Sequence, residues 1–169
     1  MEVLEAIRTR RSVRKYEKRP VPEEFVRKIL EAGRWAPSAS NAQPWSFIVL
    51  RDEGVRKEVA RAATYGRFLA EAPLGIAVVV DPAASTHPVE DGAIATQNML
   101  LAAHALGLGT CWIGSYGSSY EERVKEVLGI PEDKRLLSII SVGYSAESSK
   151  STRRDLGELV FRDRYGKSG

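Results

Sequence analysis

The sequence holds one cysteine, Cys111, and two histidines, His87 and His104, in 169 residues. A single thiol permits no internal disulfide, no CxxC redox pair and no cysteine-based zinc site. The histidines are isolated and the acids scattered, so neither a metal-binding cluster, a nucleophile triad nor a paired-carboxylate site is expected. Long apolar runs are also missing: none reaches the roughly 18 to 20 residues needed to cross a bilayer, so no membrane association is expected and the cytoplasm is the default location. A dinucleotide or phosphate-loop fingerprint is lacking too, because the glycines of GLGTCWIG follow a helix pattern rather than a strand. Any redox cofactor must be held another way.

What is present is the composition of a globular protein, 43% hydrophobic and 28% charged with signs interleaved. The length suits one core, and a single domain over residues 1–169 is expected. Net charge is only +3, but the basic residues are uneven, with Arg8, Arg10, Arg11, Arg14 and Lys15 near the start and Lys150, Arg153 and Arg154 near the end. Clusters of this kind suit an anion, and charge alone leaves open that they are solvated faces. No positive stripe with exposed aromatics or a reading helix accompanies them, so a nucleic-acid partner is not expected.

Periodicity predicts a short helix over residues 2–9 and a second one opened by Pro22, with Phe25, Val26, Ile29 and Leu30 on its apolar face. The small polar segment PSASNAQP, residues 37–44, reads as a loop leading into the strand WSFIVL. Helices follow from about Gly54 to Ala63 and through Phe68 to Ala72, and LGIAVVV reads as a buried strand. Residues 90–106 form a long helix, apolar around most of its circumference and ended by Gly107. GTCWIG is a short strand, SYEERVKEVLG a helix and LLSIISVGY the last long strand. Without strict strand–helix alternation, this order predicts an α+β sandwich rather than a doubly wound sheet. The final segment carries Leu156, Leu159, Val160 and Phe161 after the domain is complete. Such an apolar tail needs cover, and a second copy of the chain is the expected partner.

RTRRSVRKY, APSASNAQPWSFIVL, GTCWIG, SVGY and RRDLGELV occur in the order found in the nitroreductase family, and together they make nearly the whole chain resemble that family. The resemblance implies an α/β/α sandwich with a mainly antiparallel sheet, a homodimer exchanging C-terminal tails, bound FMN, and NADH or NADPH as electron donor. FMN ends in a phosphate carrying close to two negative charges, which arginines and a hydroxyl hold through charge-assisted hydrogen bonds. Arg10, Ser12 and Arg14, with Arg11 in the same run, supply that combination, and their i, i+2, i+4 spacing suits an extended segment presenting all three on one side. Arg153 matches the family's C-terminal basic residue, with Arg154 beside it. Ser151 stands where the family usually has lysine, which leaves the division of labour among Lys150, Arg153 and Arg154 open.

The resemblance further implies that Pro37, Ser38, Ala39, Ser40 and Asn41 reach the flavin from the opposite subunit. It also implies that Trp112, Ile113 and Gly114 set a backbone N–H against flavin N5, which stabilises the reduced ring. Tyr65, Gly66 and Arg67 depart from the family pattern. Because flavin performs hydride chemistry itself, no catalytic side chain is expected. The implied activity is ping-pong reduction of a small-molecule acceptor, such as a nitroaromatic or a quinone. A flavin-remodelling or dehalogenating enzyme, or a non-catalytic flavin store, would use the same cradle.

Overall fold

Alternation along one strand sets the architecture. In the computed structural model, which describes residues 1–166, β1 (Trp45–Leu50), β2 (Leu74–Val80), β3 (Gly109–Gly114) and β4 (Arg135–Gly143) form an antiparallel sheet in the order β1-β2-β4-β3. β2 is central and buried throughout. Its Leu74, Ile76, Val78 and Val80 belong to one apolar core, while Ala77 and Val79 belong to another on the opposite face. Each fully buried aliphatic side chain contributes about 1.5–3 kcal/mol, so both faces demand a helical cover.

The first face is covered by α2 (Glu23–Arg34) and α4 (Pro88–Ala105), which supply Val26, Ile29, Met99 and Ala103 to the core. The second is covered by α3 (Glu53–Ala62), α5 (Glu121–Leu128) and a 3₁₀ turn at Arg67–Ala70. Helices on both faces of an antiparallel sheet make the α+β, three-layer sandwich expected from the element pattern. The short α1 (Val3–Thr9) contacts α4.

Two local expectations need correction. Pro22 is the N-cap of α2 rather than its first residue: its ψ of 144° is extended, although its carbonyl already accepts from Phe25 and Val26. The expected helix through Phe68 to Ala72 is only the 3₁₀ turn, because the residue before Pro73 is driven from helical conformation and the segment must join β2 directly.

A bulge in β4 prepares the site. Val78 pairs with Ser138 but Val79 pairs with Leu136, leaving Leu137 as an extra residue. The Leu137 carbonyl accepts from both Ser115 and Tyr116, at 3.1 Å each, and this turns the chain off the sheet just after Gly114. Glu121, 3% exposed, then ties the turn down: it binds Arg135 through two hydrogen bonds and accepts from the Gly117 and Leu136 amides. Burial pushes its carboxyl up, but the Arg135 bonds and the two amides together hold it below the ordinary glutamate value.

Some apolar surface stays uncovered. On α1, Val3, Leu4 and Ile7 are exposed, and the tail exposes Leu156, Leu159, Val160 and Phe161. No helix of the described residues is long and apolar enough to cross a membrane.

Candidate functional site

β3 is an edge strand whose outer side is only half used. The Thr110 carbonyl accepts from Val13 at 2.8 Å, within a parallel bridge between Ser12 and Thr110. Backbone direction alternates along a strand, so Trp112 and Gly114 present their N–H groups to the same outer edge beyond the point where the N-terminal segment covers it. Among the described residues, no backbone hydrogen bond outside the sheet engages these two amides. Gly114 leaves open space where a side chain would stand, its nearest neighbour being Trp112 Nε1 at 3.9 Å from an ideal Cβ. The Tyr120 hydroxyl donates to the Gly114 carbonyl, and a buried tyrosine therefore fixes the end of the strand.

The basic run lies beside this edge. Glu147 accepts from the Arg14 and Lys15 amides at 2.6 and 3.2 Å and holds the segment extended. Burial raises the Cys111 thiol of the adjacent strand, and Arg14, Ser12 and Arg10 act on it in the opposite direction. Arg10 is pushed below its ordinary value, first by burial and then by the charges of Arg11 and Arg153. Desolvation followed by the charges of Arg10 and Arg11 lowers His104 as well, and its ring bonds the Thr9 hydroxyl at 2.8 Å. Arg10, Arg11 and Arg153 are absent from the ion pairs of the described residues. Guanidiniums gathered without an ion pair are suited to an anion.

Within that group the roles differ. Arg11 folds back to donate to the Arg8 and Arg10 carbonyls, both at 2.8 Å, and so caps α1, while its Nε is buried without a partner. Its head lines a cleft of about 600 Å³ with Thr9, Lys150 and Ser151. Arg153 joins the cluster from the tail, but Arg154 is bound to Glu158 at 3.0 Å. Arg14 stands over the Phe68 ring at 5.7 Å, which brings the 3₁₀ turn to the same side. Gly66 also belongs there, since a Cβ on it would lie 3.1 Å from Ile113 Cδ1. Tyr65, 80% exposed, meets Tyr120 edge-on at 6.5 Å.

The Pro37–Asn41 segment is elsewhere. It is hydrogen-bonded to the N-terminal end of α4, where the Asp91 carboxylate accepts from the Ala39 amide at 3.0 Å. The arginine cluster sits near the other end of α4, beside His104. From Asp91 to His104 the helix rises about 20 Å at 1.5 Å per residue. Ser40, Asn41 and Gln43 have φ of 51°, 55° and 49°, left-handed values without glycine. Such conformations cost roughly 1–3 kcal/mol each for most residues, less for asparagine, and they persist only where surrounding bonds fix them. Of the residues noted from sequence, the structure thus brings together Arg10, Arg11, Ser12, Arg14, Trp112, Ile113, Gly114 and Arg153, and it sets Pro37, Ser38, Ala39, Ser40 and Asn41 apart.

Comparison with known proteins decides the family. The nitroreductase family model matches residues 7–65 and 59–144. The chain belongs to the nitroreductase family. A relative in Archaeoglobus fulgidus, provisionally named an NADH dehydrogenase/NAD(P)H nitroreductase, is 46% identical over 150 residues, 85% of either chain. A provisionally named nitroreductase from Desulfovibrio desulfuricans, solved in complex with FMN, is 37% identical with a TM-score of 0.88, covering 98% of both chains. The NADPH:FMN oxidoreductase of Vibrio harveyi, solved with NAD+, is 26% identical with a TM-score of 0.87 and covers 98% of this chain and 78% of its own.

Sequence reasoning missed Asp91 and Glu147, which act on backbone groups far away in sequence, and Tyr120, which acts six residues back; none carries a local pattern. Around Cys111, Arg14, Ser12 and Arg10 act to lower the thiol's pKa and Glu147 acts to raise it. The thiol is nevertheless 2% exposed and burial raises its pKa, so little thiolate forms. Cys111→Ala is expected to retain NAD(P)H oxidation within about threefold, since a buried thiol contributes packing and not nucleophilicity here. Steady-state turnover of the flavin-loaded variant checks this, and complete loss in folded protein would reveal a thiol mechanism.

Proposed function

We propose that this chain is an FMN-dependent oxidoreductase that takes hydride from NADH or NADPH and passes reducing equivalents to a small oxidised acceptor such as a nitroaromatic or a quinone. The observation that carries this reading is the arginine cluster, whose Arg10, Arg11 and Arg153 form no ion pair among the described residues, beside an edge strand whose outer amides no backbone bond outside the sheet engages: a basic group adjoining a row of donors fits the phosphate and the ring of one FMN. Arg10, Ser12, Arg14 and Arg153 would hold the phosphate end. Trp112 and Gly114 would turn N–H groups to the ring edge, where donors favour the reduced state. FMN supplies the hydride and electron chemistry when bound, so this reading requires no catalytic side chain.

The chain's own part is to orient two ligands in turn over one face. The connection between β2 and α4 is short, Asp81 to His87, and an open pocket would suit ping-pong exchange of donor and acceptor. The same reading makes the chain one domain, 1–169, acting as a homodimer with the apolar tail laid on the partner. Arg10 and the 37–41 segment lie at opposite ends of α4, so one FMN is served by the arginines of one subunit and the segment of the other.

The visible spectrum of purified protein tests the proposal. Flavin absorbance that bleaches on anaerobic NADH or NADPH addition and returns with a quinone is the expected result. Flavin that resists both nucleotides would indicate a store, and protein that takes up no flavin would overturn the reading.

A further inference from the structure

We propose that Asp91 is a positioning residue for the 37–43 segment, fixing the strained turn that the shared-site reading above sends to the partner's flavin. Asp91 is 3% exposed, and neither of its oxygens forms an ion pair among the described residues. It is the fourth residue of α4, where an acid ordinarily serves the exposed amides of its own helix. Here both oxygens reach outside the helix instead. Oδ1 accepts from the Ala39 amide at 3.0 Å, and Oδ2 accepts from the Ser85 hydroxyl at 2.5 Å. Ser85 Oγ in turn accepts from the His87 amide at 3.0 Å, so the carboxylate is itself held in place.

The platform beneath it is rigid. Gly92, the next residue, lies so close to the sheet that a Cβ would come within 2.6 Å of both Leu137 and Val80. The start of α4 is thereby pressed onto β2 and β4. From this fixed point the bond to Ala39 reaches a turn whose Ser40, Asn41 and Gln43 all have positive φ. Inside the turn, Ser38 Oγ accepts from the Gln43 amide at 2.9 Å, and the Asn41 amide donates to the Ser38 carbonyl at 3.0 Å. Ser40 and Asn41 remain exposed. Left to itself, a turn with this backbone relaxes toward ordinary conformations. The buried carboxylate opposes that relaxation from a place that touches no ligand, and the side chains at its tip stay aimed outward before any cofactor arrives.

The experiment compares Asp91→Ala, Asp91→Asn and wild type in two measurements: amide hydrogen exchange of the flavin-free protein, and FMN affinity by flavin fluorescence. In Asp91→Ala, residues 39–43 are expected to exchange at least roughly tenfold faster while β2 and β4 do not change, and FMN is expected to bind roughly ten- to a hundredfold more weakly. Asp91→Asn keeps an oxygen for the Ala39 amide and is expected to restore both values to within about threefold. A purely structural role would instead speed exchange in the sheet or lower Tm without this rescue, and that outcome overturns the proposal. So does unchanged FMN affinity in Asp91→Ala beside a wild type that binds FMN. A wild type that takes up no FMN strikes the flavin reading, and the purpose given to Asp91 falls with it. Should Asp91→Ala not fold, Ser85→Ala releases one oxygen only and is expected to weaken FMN about threefold, with no change counting against the proposal.

Discussion

A heterodimer of two individually inactive variants is expected to regain turnover. One variant carries Arg10→Ala and Arg14→Ala, and the other carries Ser40→Pro and Asn41→Pro. Proline fixes φ near −65°, which the values of 51° and 55° at these positions exclude, so the second variant loses the turn. In the mixed dimer both lesions fall in one site, and the other site receives intact arginines from one chain and an intact turn from its partner. Separate tags allow the heterodimer to be purified, with FMN content and NAD(P)H turnover as readouts. Up to about one working site per dimer should appear against none in either homodimer, a large effect on a low background. An inactive, flavin-free heterodimer would rule out sites shared between subunits. The geometry favours recovery because one helix separates the two parts within a chain by about 20 Å.

Loss of the arginine cluster is expected to abolish the preference for FMN over riboflavin. The two ligands share ring and ribityl chain and differ in the phosphate. Each charge-assisted hydrogen bond contributes about 1.5–3 kcal/mol, so Arg14→Ala should weaken FMN roughly ten- to a hundredfold, and Arg10→Ala together with it should weaken FMN further. Riboflavin affinity should scarcely move. Titration of both ligands into the flavin-free variants and wild type gives the comparison. Equal wild-type affinity for the two would remove the phosphate from the argument, and equal weakening of both by Arg14→Ala would make that arginine a ring contact. Salt offers a parallel check, because an exposed arginine such as Arg14 is screened whereas half-buried Arg10 is screened less.

The sheet was largely legible in the sequence. WSFIVL, LGIAVVV, GTCWIG and most of LLSIISVGY became β1 to β4 because β-branched and aromatic runs bounded by Gly and Pro have few other ways to bury themselves. The basic run was legible because two arginines and a hydroxyl at i, i+4 and i+2 of an extended segment need no tertiary information. Strand order was not, since antiparallel pairing of β2 with β4 across α4 and α5 leaves no local mark. Nor was the bulge at Leu137, one apolar residue among many, although it ends β3 at the site. Asp91 was hidden for a related reason: an acid in the first turn of a helix has an ordinary explanation, and only the fold shows its oxygens spent elsewhere. The turn at Ser40 was read as a loop from its small residues, yet its left-handed backbone is carried by serine, asparagine and glutamine where glycine would have signalled it.

The half-covered edge of β3 carries a cost for the protein when it is empty. An open row of strand amides is a template on which another chain can pair, and proteins ordinarily blunt such edges with charge, proline or a covering segment. Ser12 and Val13 cover the beginning of this one, and among the described residues no backbone bond outside the sheet engages the Trp112 and Gly114 amides. A flat ligand whose ring edge accepts from those amides closes the gap without adding a strand. On the proposed site the cofactor would double as the sheet's missing border, and stripped protein is then expected to self-associate more readily than loaded protein.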